Sequence, residues 1–390
     1  MLCGLRTCPL LSRFNVRPKI QKNLKEDFFG PSTSVFIGRF GYPDVFTGPL
    51  APMTTDHTDI IDKPSTWFGT PYQDLVEMRS TILRTKEPTN IFARNRTVDQ
   101  LQEIALAKKA PDVEMTLKGK PVYRVSFSDV SQPMGPSANL KTLDIAGNVR
   151  ISRHVDKAVS DELTARESGY MLYSKGEDVY KVSTILSSGS LGMPERRKLV
   201  PTRWSITASQ TLVANEIIKE IKDYPSVNDY MVFTSEYLDN HYEVLLMPGA
   251  WEFENFEAWA PGTPWSMNAK NTEVLAEYEP YRGRTKYADL QGGGFYASRL
   301  AVTEGLKALR RQARVVVFRE VHEGYVIPLG VWQVLENVRN AFRSGGSKFV
   351  TKEEALKDIE TRLRLPLTDY ERQSVILRRK TLADFIAPAS

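Results

Sequence analysis

The segment from Ser187 to Thr207 concentrates more chemistry than any other stretch of this chain. It opens with a run of small residues, in which Ser188 and Ser190 flank Gly189. Such a run leaves backbone N–H groups able to face an anion. Arg196, Arg197 and Lys198 follow, then Arg203 and Trp204. Guanidinium groups hold phosphate in bidentate fashion, and an indole offers a face on which a base stacks. Charge beside an aromatic plane is what nucleic-acid contact requires. The competing reading is a surface loop whose arginines pair with acids such as Glu195, around a tryptophan that is simply core. The segment lacks the Gly-Lys-Ser/Thr ending of a phosphate-binding loop and the spacing of a dinucleotide fingerprint.

A second cluster sets Glu252, Glu254 and Glu257 among Trp251, Phe253, Phe256 and Trp259. On a strand Glu252 and Glu254 share a face; on a helix Glu254 and Glu257 do. Paired carboxylates hold Mg²⁺ or move protons. They equally suit an amphipathic element with its acids in water. If the loop and the acids converged, the pair would suit an enzyme of nucleotides or nucleic-acid ends: a nuclease, or a nucleotidyl or ADP-ribosyl transferase. Only on that reading is Mg²⁺ called for; no other cofactor is expected. The four histidines have no metal-ligand spacing, and Cys3 and Cys8 supply half of a tetrahedral zinc site. No zinc is therefore expected in this chain, and no catalytic residue can be assigned.

The C-terminal segment carries a different kind of signal. Arg379, Lys380, Leu382, Phe385 and Ile386 place an aliphatic residue three positions before two adjacent bulky apolar ones. A one-turn plug of this spacing fills another protein's pocket. The spacing matches the peptide that docks onto sliding clamps. Here Arg379 stands where Gln is usual, and Ile386 where a second aromatic is usual. The alternative is a segment that folds back on its own domain.

The elements that must position these residues read as an α+β protein. The 390 residues suffice for two domains. We expect an irregular arm over 1–33, a large mixed domain over 34–285, a smaller helix-rich domain over 286–378 and the peptide over 379–390. Strands are expected at 34–40 and 122–127, hairpins at 169–186 and 229–247, and helices at 72–85, 97–109, 154–164 and 210–221. A capping box is expected at Thr97 and Gln100. Residues 47–71 and 260–291 read as irregular. Beyond 285 come a helix at 294–312, a buried strand at 315–321, and helices at 331–342, 352–363 and 369–379. Residues 293–390 hold 17 Lys/Arg against 11 Asp/Glu, so they carry +6 of the chain's net +5, and the remainder sums to about −1. A basic C-terminal third fits contact with a polyanion. No apolar run reaches the length of a membrane span, and two cysteines make no disulfide framework. The expected setting is the cytoplasm, in association with the nucleoid, with DNA and a clamp as partners and no membrane.

Six segments together resemble the archaeal Nre family of DNA-repair proteins: 2–11, 36–43, 128–137, 192–207, 293–301 and 328–332. The longest, Gly192 to Thr207, contains the basic-aromatic run already described. The resemblance implies a role in DNA-damage repair and a C-terminal clamp-interaction peptide. It also implies an earlier Cys-x-x-Cys pair that would complete a four-cysteine zinc finger with Cys3 and Cys8; the sequence begins downstream of that pair. It names a pathway and assigns no reaction.

Overall fold

The computed structural model describes residues 16, 19–54, 60–124, 133–263, 266 and 269–379. Cys3, Cys8, Lys380, Leu382, Phe385 and Ile386 lie outside the described residues. The protein is α+β, with two six-stranded mixed sheets. It divides into two compact units, one of residues Met1–Glu216 and Val326–Trp332, the other of Ile217–Tyr325 and Gln333–Ser390. The expected boundary near 285 falls inside the second unit. There β11 (Arg314–Val321) pairs with β8 (Asn240–Met247) and β9 (Glu252–Trp259), so one sheet is stitched from both sides of that position.

In the first unit the sheet runs β1 (Asp27–Pro31), β5 (Asp112–Leu117), β6 (Ser137–Ala146), β4 (Ile82–Asn90), β3 (Asp44–Pro52) and β2 (Ser34–Ile37). Only the β4–β6 pair is parallel. Residues 47–52, read as the start of a loop because of their prolines, belong to β3. Its pairing with β4 lapses between Thr47↔Glu87 and Leu50↔Arg84, with the register unchanged across the gap. The gap falls at Gly48 and Pro49, where proline has no N–H to give the ladder. Thr85 Oγ1 instead donates to the Pro49 carbonyl at 3.0 Å.

After α1 (Tyr72–Ser80) comes α2 (Arg96–Leu106), which packs Leu101, Ile104 and Ala105 against Val35, Leu83 and Met115 of the sheet. Its cap is Asn95, whose Oδ1 accepts from Val98 N at 3.0 Å, rather than the Thr97 box expected. Residues 169–186, read as a hairpin, fall in two helices. They are α4 (Ala165–Ser174) and α5 (Val179–Ser187), following α3 (Arg153–Ser160). Thr164 and Glu167 make a capping box for α4, and Asp178 caps α5 through Tyr180 N. Gly176, at φ +94°, stands just past the end of a helix rather than in a strand turn. The last helix here, α6 (Thr202–Ile221), starts eight residues before the expected one.

The second unit orders its strands β10 (Glu273–Glu279), β9, β11, β8, β7 (Tyr230–Tyr237) and β12 (Gly346–Phe349). The expected hairpin is present as β7 and β8, with Leu238 and Asp239 at φ +56° and +57° in its turn. Strand β10 lies in the stretch read as irregular. Helices α7 (Gly293–Leu309) and α8 (Trp332–Arg343) follow the expected positions, and Phe253 of β9 meets Phe295 of α7 edge-on at 5.1 Å. On the opposite face Phe256 and Phe318 pack with Tyr370 at 5.5 and 5.2 Å. That face also receives α9 (Lys352–Glu360) and the short α10 (Leu367–Glu371).

Candidate nucleic-acid interface

The Ser187–Arg203 segment is fixed by its own backbone. Gly189, at φ +74°, lies so close to the returning chain that a Cβ there would stand 2.7 Å from the Lys198 carbonyl oxygen. Val200 N donates to the Ser187 carbonyl at 3.0 Å, and Ser187 Oγ returns a bond to the Val200 carbonyl at 2.8 Å. Ser188 and Ser190 are buried, with their hydroxyls 2.8 Å apart. Gly189 N and Ser190 N donate to the Leu186 and Ile185 carbonyls. The small residues therefore complete a helix end; they form no phosphate cradle, because their donors are spent internally. Arg197 is also a tie: Nε donates to the Gly192 carbonyl at 2.8 Å and Nη2 to Val159 at 2.6 Å. Burial lowers its pKa, countered by Glu195.

What remains on the surface is Arg196, Lys198, Arg203 and Trp204. Trp204 is 44 % exposed, so it is not the core residue of the competing reading. The fold brings two further loops to it. Ile37 N, at the end of β2, donates to Thr202 Oγ1 at 3.0 Å. Leu199 N donates to the Ile91 carbonyl at 2.9 Å, and Ile91 N to the Pro43 carbonyl at 3.0 Å. Beneath them Ile37, Val45, Ile91, Val98 and Leu199 form one apolar cluster. The 38–43 loop, which contains a cis Tyr42–Pro43 bond, thereby sets the Tyr42 ring 5.1 Å from that of Trp204. Phe40 is 79 % exposed with Arg39 4.9 Å over its ring; Phe92 is 62 % exposed with Lys198 Nζ at 5.8 Å. Arg94, also on the surface, donates to the Pro194 carbonyl at 3.5 Å.

Arg39, Phe40, Tyr42, Phe92 and Arg94 were missed in the sequence. The available signal was a pair of short segments, 38–43 and 90–95, each setting an arginine near an aromatic between turn formers.

The acids of β9 are committed elsewhere. Glu257 Oε1 accepts from Arg319 Nη1 at 2.8 Å, and Oε2 accepts from Trp259 Nε1 at 3.1 Å. Glu254 is fully buried and accepts from Val375 N at 2.6 Å, Ile376 N at 3.2 Å and Ser374 Oγ. Burial raises its pKa, partly offset by those bonds. Glu252 takes both bonds of Arg379, at 2.8 and 2.9 Å. The strand does put Glu252 and Glu254 on one face, as expected, but that face is covered by 374–379 of the same chain. Arg379, expected in the clamp peptide, is thus held to its own sheet, with its guanidinium 5.4 Å over Tyr278. Among the described residues no group of three or more His, Cys, Asp or Glu could hold a metal ion.

The chain belongs to the archaeal Nre family. Residues 2–266 match the family's N-terminal model and residues 279–385 its C-terminal model. A relative from Archaeoglobus fulgidus, "DNA repair protein NreB", is 37% identical over 391 residues, spanning 99% of this chain and 98% of its own. "DNA repair protein NreA" of Haloferax volcanii is 36% identical over 358 residues, spanning 89% of this chain and 85% of its own. "DNA repair protein NreA" of Archaeoglobus fulgidus is 34% identical over 389 residues, spanning 99% and 96%. No solved structure matches the chain. Among the described residues no helix is long and apolar enough to cross a membrane.

Proposed function

We propose that this protein serves DNA repair, contacts DNA phosphate through the basic-aromatic surface, and is brought to its place on the chromosome by a sliding clamp. The observation that carries the DNA contact is the joint exposure of Arg196, Lys198, Arg203 and Trp204 on a segment whose backbone is fixed. Its relatives named as DNA repair proteins supply the pathway. Affinity for DNA should fall steeply with salt, and replacing Arg196 and Lys198 together by Ala should lower the slope by about 2 in log–log form. Binding that ignores salt, or none at low salt, refutes this part.

The clamp reading rests on the spacing of Leu382, Phe385 and Ile386. The Arg379–Glu252 pair supports it by giving that peptide a fixed root in unit two. Losing the aromatic anchor of such a plug costs on the order of 2 kcal/mol or more. Calorimetric titration of the clamp should therefore give at least a tenfold weaker affinity for a chain ending at Arg379 than for the full chain. Equal affinities would remove the tail from the interface.

A further inference from the structure

We infer that the surface formed by the 38–43 and 90–95 loops and the 187–204 segment takes single-stranded DNA, stacking unpaired bases on its exposed rings; this rests on the phosphate-contact reading above and names its substrate. Four aromatic residues, Phe40, Tyr42 and Phe92 from two loops and Trp204 from the first turn of α6, stand at one end of the first unit's sheet, each at least 41 % exposed. Exposed rings in such number are unfavourable unless something covers them. The segments carrying them are not floppy: the Ile37, Ile91 and Leu199 amides tie all three together, above a shared apolar cluster. The rings are therefore presented in place before any ligand arrives, which lowers the ordering cost of binding.

Charge selects the occupant. Arg39 and Lys198 lie at the faces of Phe40 and Phe92, Arg94 and Arg196 are on the surface of the same loops, and Arg203 is on the surface of the first turn of α6. An apolar protein partner would gain nothing from these cations, whereas a polyanion with flat apolar groups uses both features at once. Duplex DNA offers phosphates, but its base faces are already stacked on one another. Single-stranded DNA offers both, and stacking of successive bases on aromatic side chains along a basic track is the general mode of strand binding.

The test is fluorescence anisotropy of the full chain with a labelled oligonucleotide of about 15 nucleotides, its duplex, and an abasic strand of equal length. The single strand should bind at least tenfold more tightly than the duplex or the abasic strand. Trp204→Ala and, separately, Phe92→Ala should each weaken single-strand binding five- to tenfold and change duplex binding less than twofold. Phe92 is the more exposed of the two, so its truncation leaves the fold intact. Arg196→Ala should weaken all three. Equal, salt-dependent binding of all three probes, unmoved by either aromatic change, overturns the strand preference and leaves phosphate contact standing. Absence of salt-dependent binding to any probe overturns both.

Discussion

Glu254 decides whether the acids of β9 are chemical or structural, and Glu254→Ala tests it. The substitution removes the acceptor for the Val375 and Ile376 amides and the Ser374 hydroxyl. A buried donor left without its partner costs about 1–3 kcal/mol. Water can reach the half-buried Val375 amide and reduce its share, and removing a buried carboxylate relieves some desolvation. Ser374 Oγ also accepts from Leu377 N at 2.8 Å, so its loss would loosen the turn that leads to Arg379. Summed, the expected loss is about 3 kcal/mol, a large fraction of the ordinary 5–15 kcal/mol of folding stability. Glu254→Gln keeps one acceptor but turns an amide donor toward a backbone N–H, so about half that loss is expected.

The measurement is urea unfolding followed by tryptophan fluorescence, with pH as a second axis. Burial raises the folded-state pKa of Glu254 above the unfolded value of about 4.3. Folding is then favoured by proton uptake. That contribution is fully present below about pH 4.3 and is lost as pH rises through the folded value. The advantage of wild type over Glu254→Ala should therefore be larger near pH 4 than near pH 7. A loss under about 1 kcal/mol at neutral pH, or an advantage that grows with pH, would refute the structural assignment.

Three further outcomes follow from buried or capping groups. Burial, opposed by Glu177, pushes Lys181 down to about 8, and its Nζ donates to the Ala107 carbonyl at 2.6 Å. The unfolded chain keeps that proton to about 10.4, so stability should rise between pH 8 and 10 by about 2–3 kcal/mol. Lys181→Met should abolish that rise in denaturant titrations and be more stable than wild type at pH 7.5 by about 1–2 kcal/mol. Arg362 holds the fully buried Glu243 through bonds of 2.7 and 3.0 Å, while His241 and Thr234 hold it from other sides. Arg362→Ala should cost about 3 kcal/mol by chemical unfolding, the low end for breaking a buried pair. Thr164→Ala removes one arm of the α4 capping box and should cost about 1 kcal/mol on the same assay.

How much of this could be read in the sequence follows from how local each interaction is. The apolar run Val315–Phe318 announced β11 because that strand is buried on both faces. The β7–β8 turn announced itself through Asp239 and Asn240, next-door neighbours in the chain. Residues 169–186 were misread because Gly176 ends a helix or turns a hairpin with equal ease. The apolar spacing Val179, Val182, Ile185 and Leu186 was the better guide. The acids of β9 looked chemical because their partners are far along the chain: Arg319 lies 62 residues from Glu257, and Val375 lies 121 from Glu254.

The surface proposed to hold DNA shows the same limit from the other side. An exposed phenylalanine and a buried one are the same letter, so Phe40 and Phe92 carried no mark of their exposure. Only the β3–β4 register, with Asp44 opposite Asn90, brings the 38–43 and 90–95 loops to one end of the sheet. Only the Leu199–Ile91 bond then adds the basic segment to them. The 192–207 run was legible because charge, glycine and tryptophan are contiguous there. Yet the serines that precede it and its own Arg197 prove to be the scaffold. The same rigidity supports the stacking proposal: a loop that spends its small residues and one arginine on holding itself still can present Trp204 and Lys198 without reorganising. If Arg197→Ala loosens that scaffold, single-strand binding should weaken even though Arg197 itself is turned inward, and hydrogen exchange across 187–200 should quicken in step. Faster exchange with unchanged binding would show that the rings need no fixed frame.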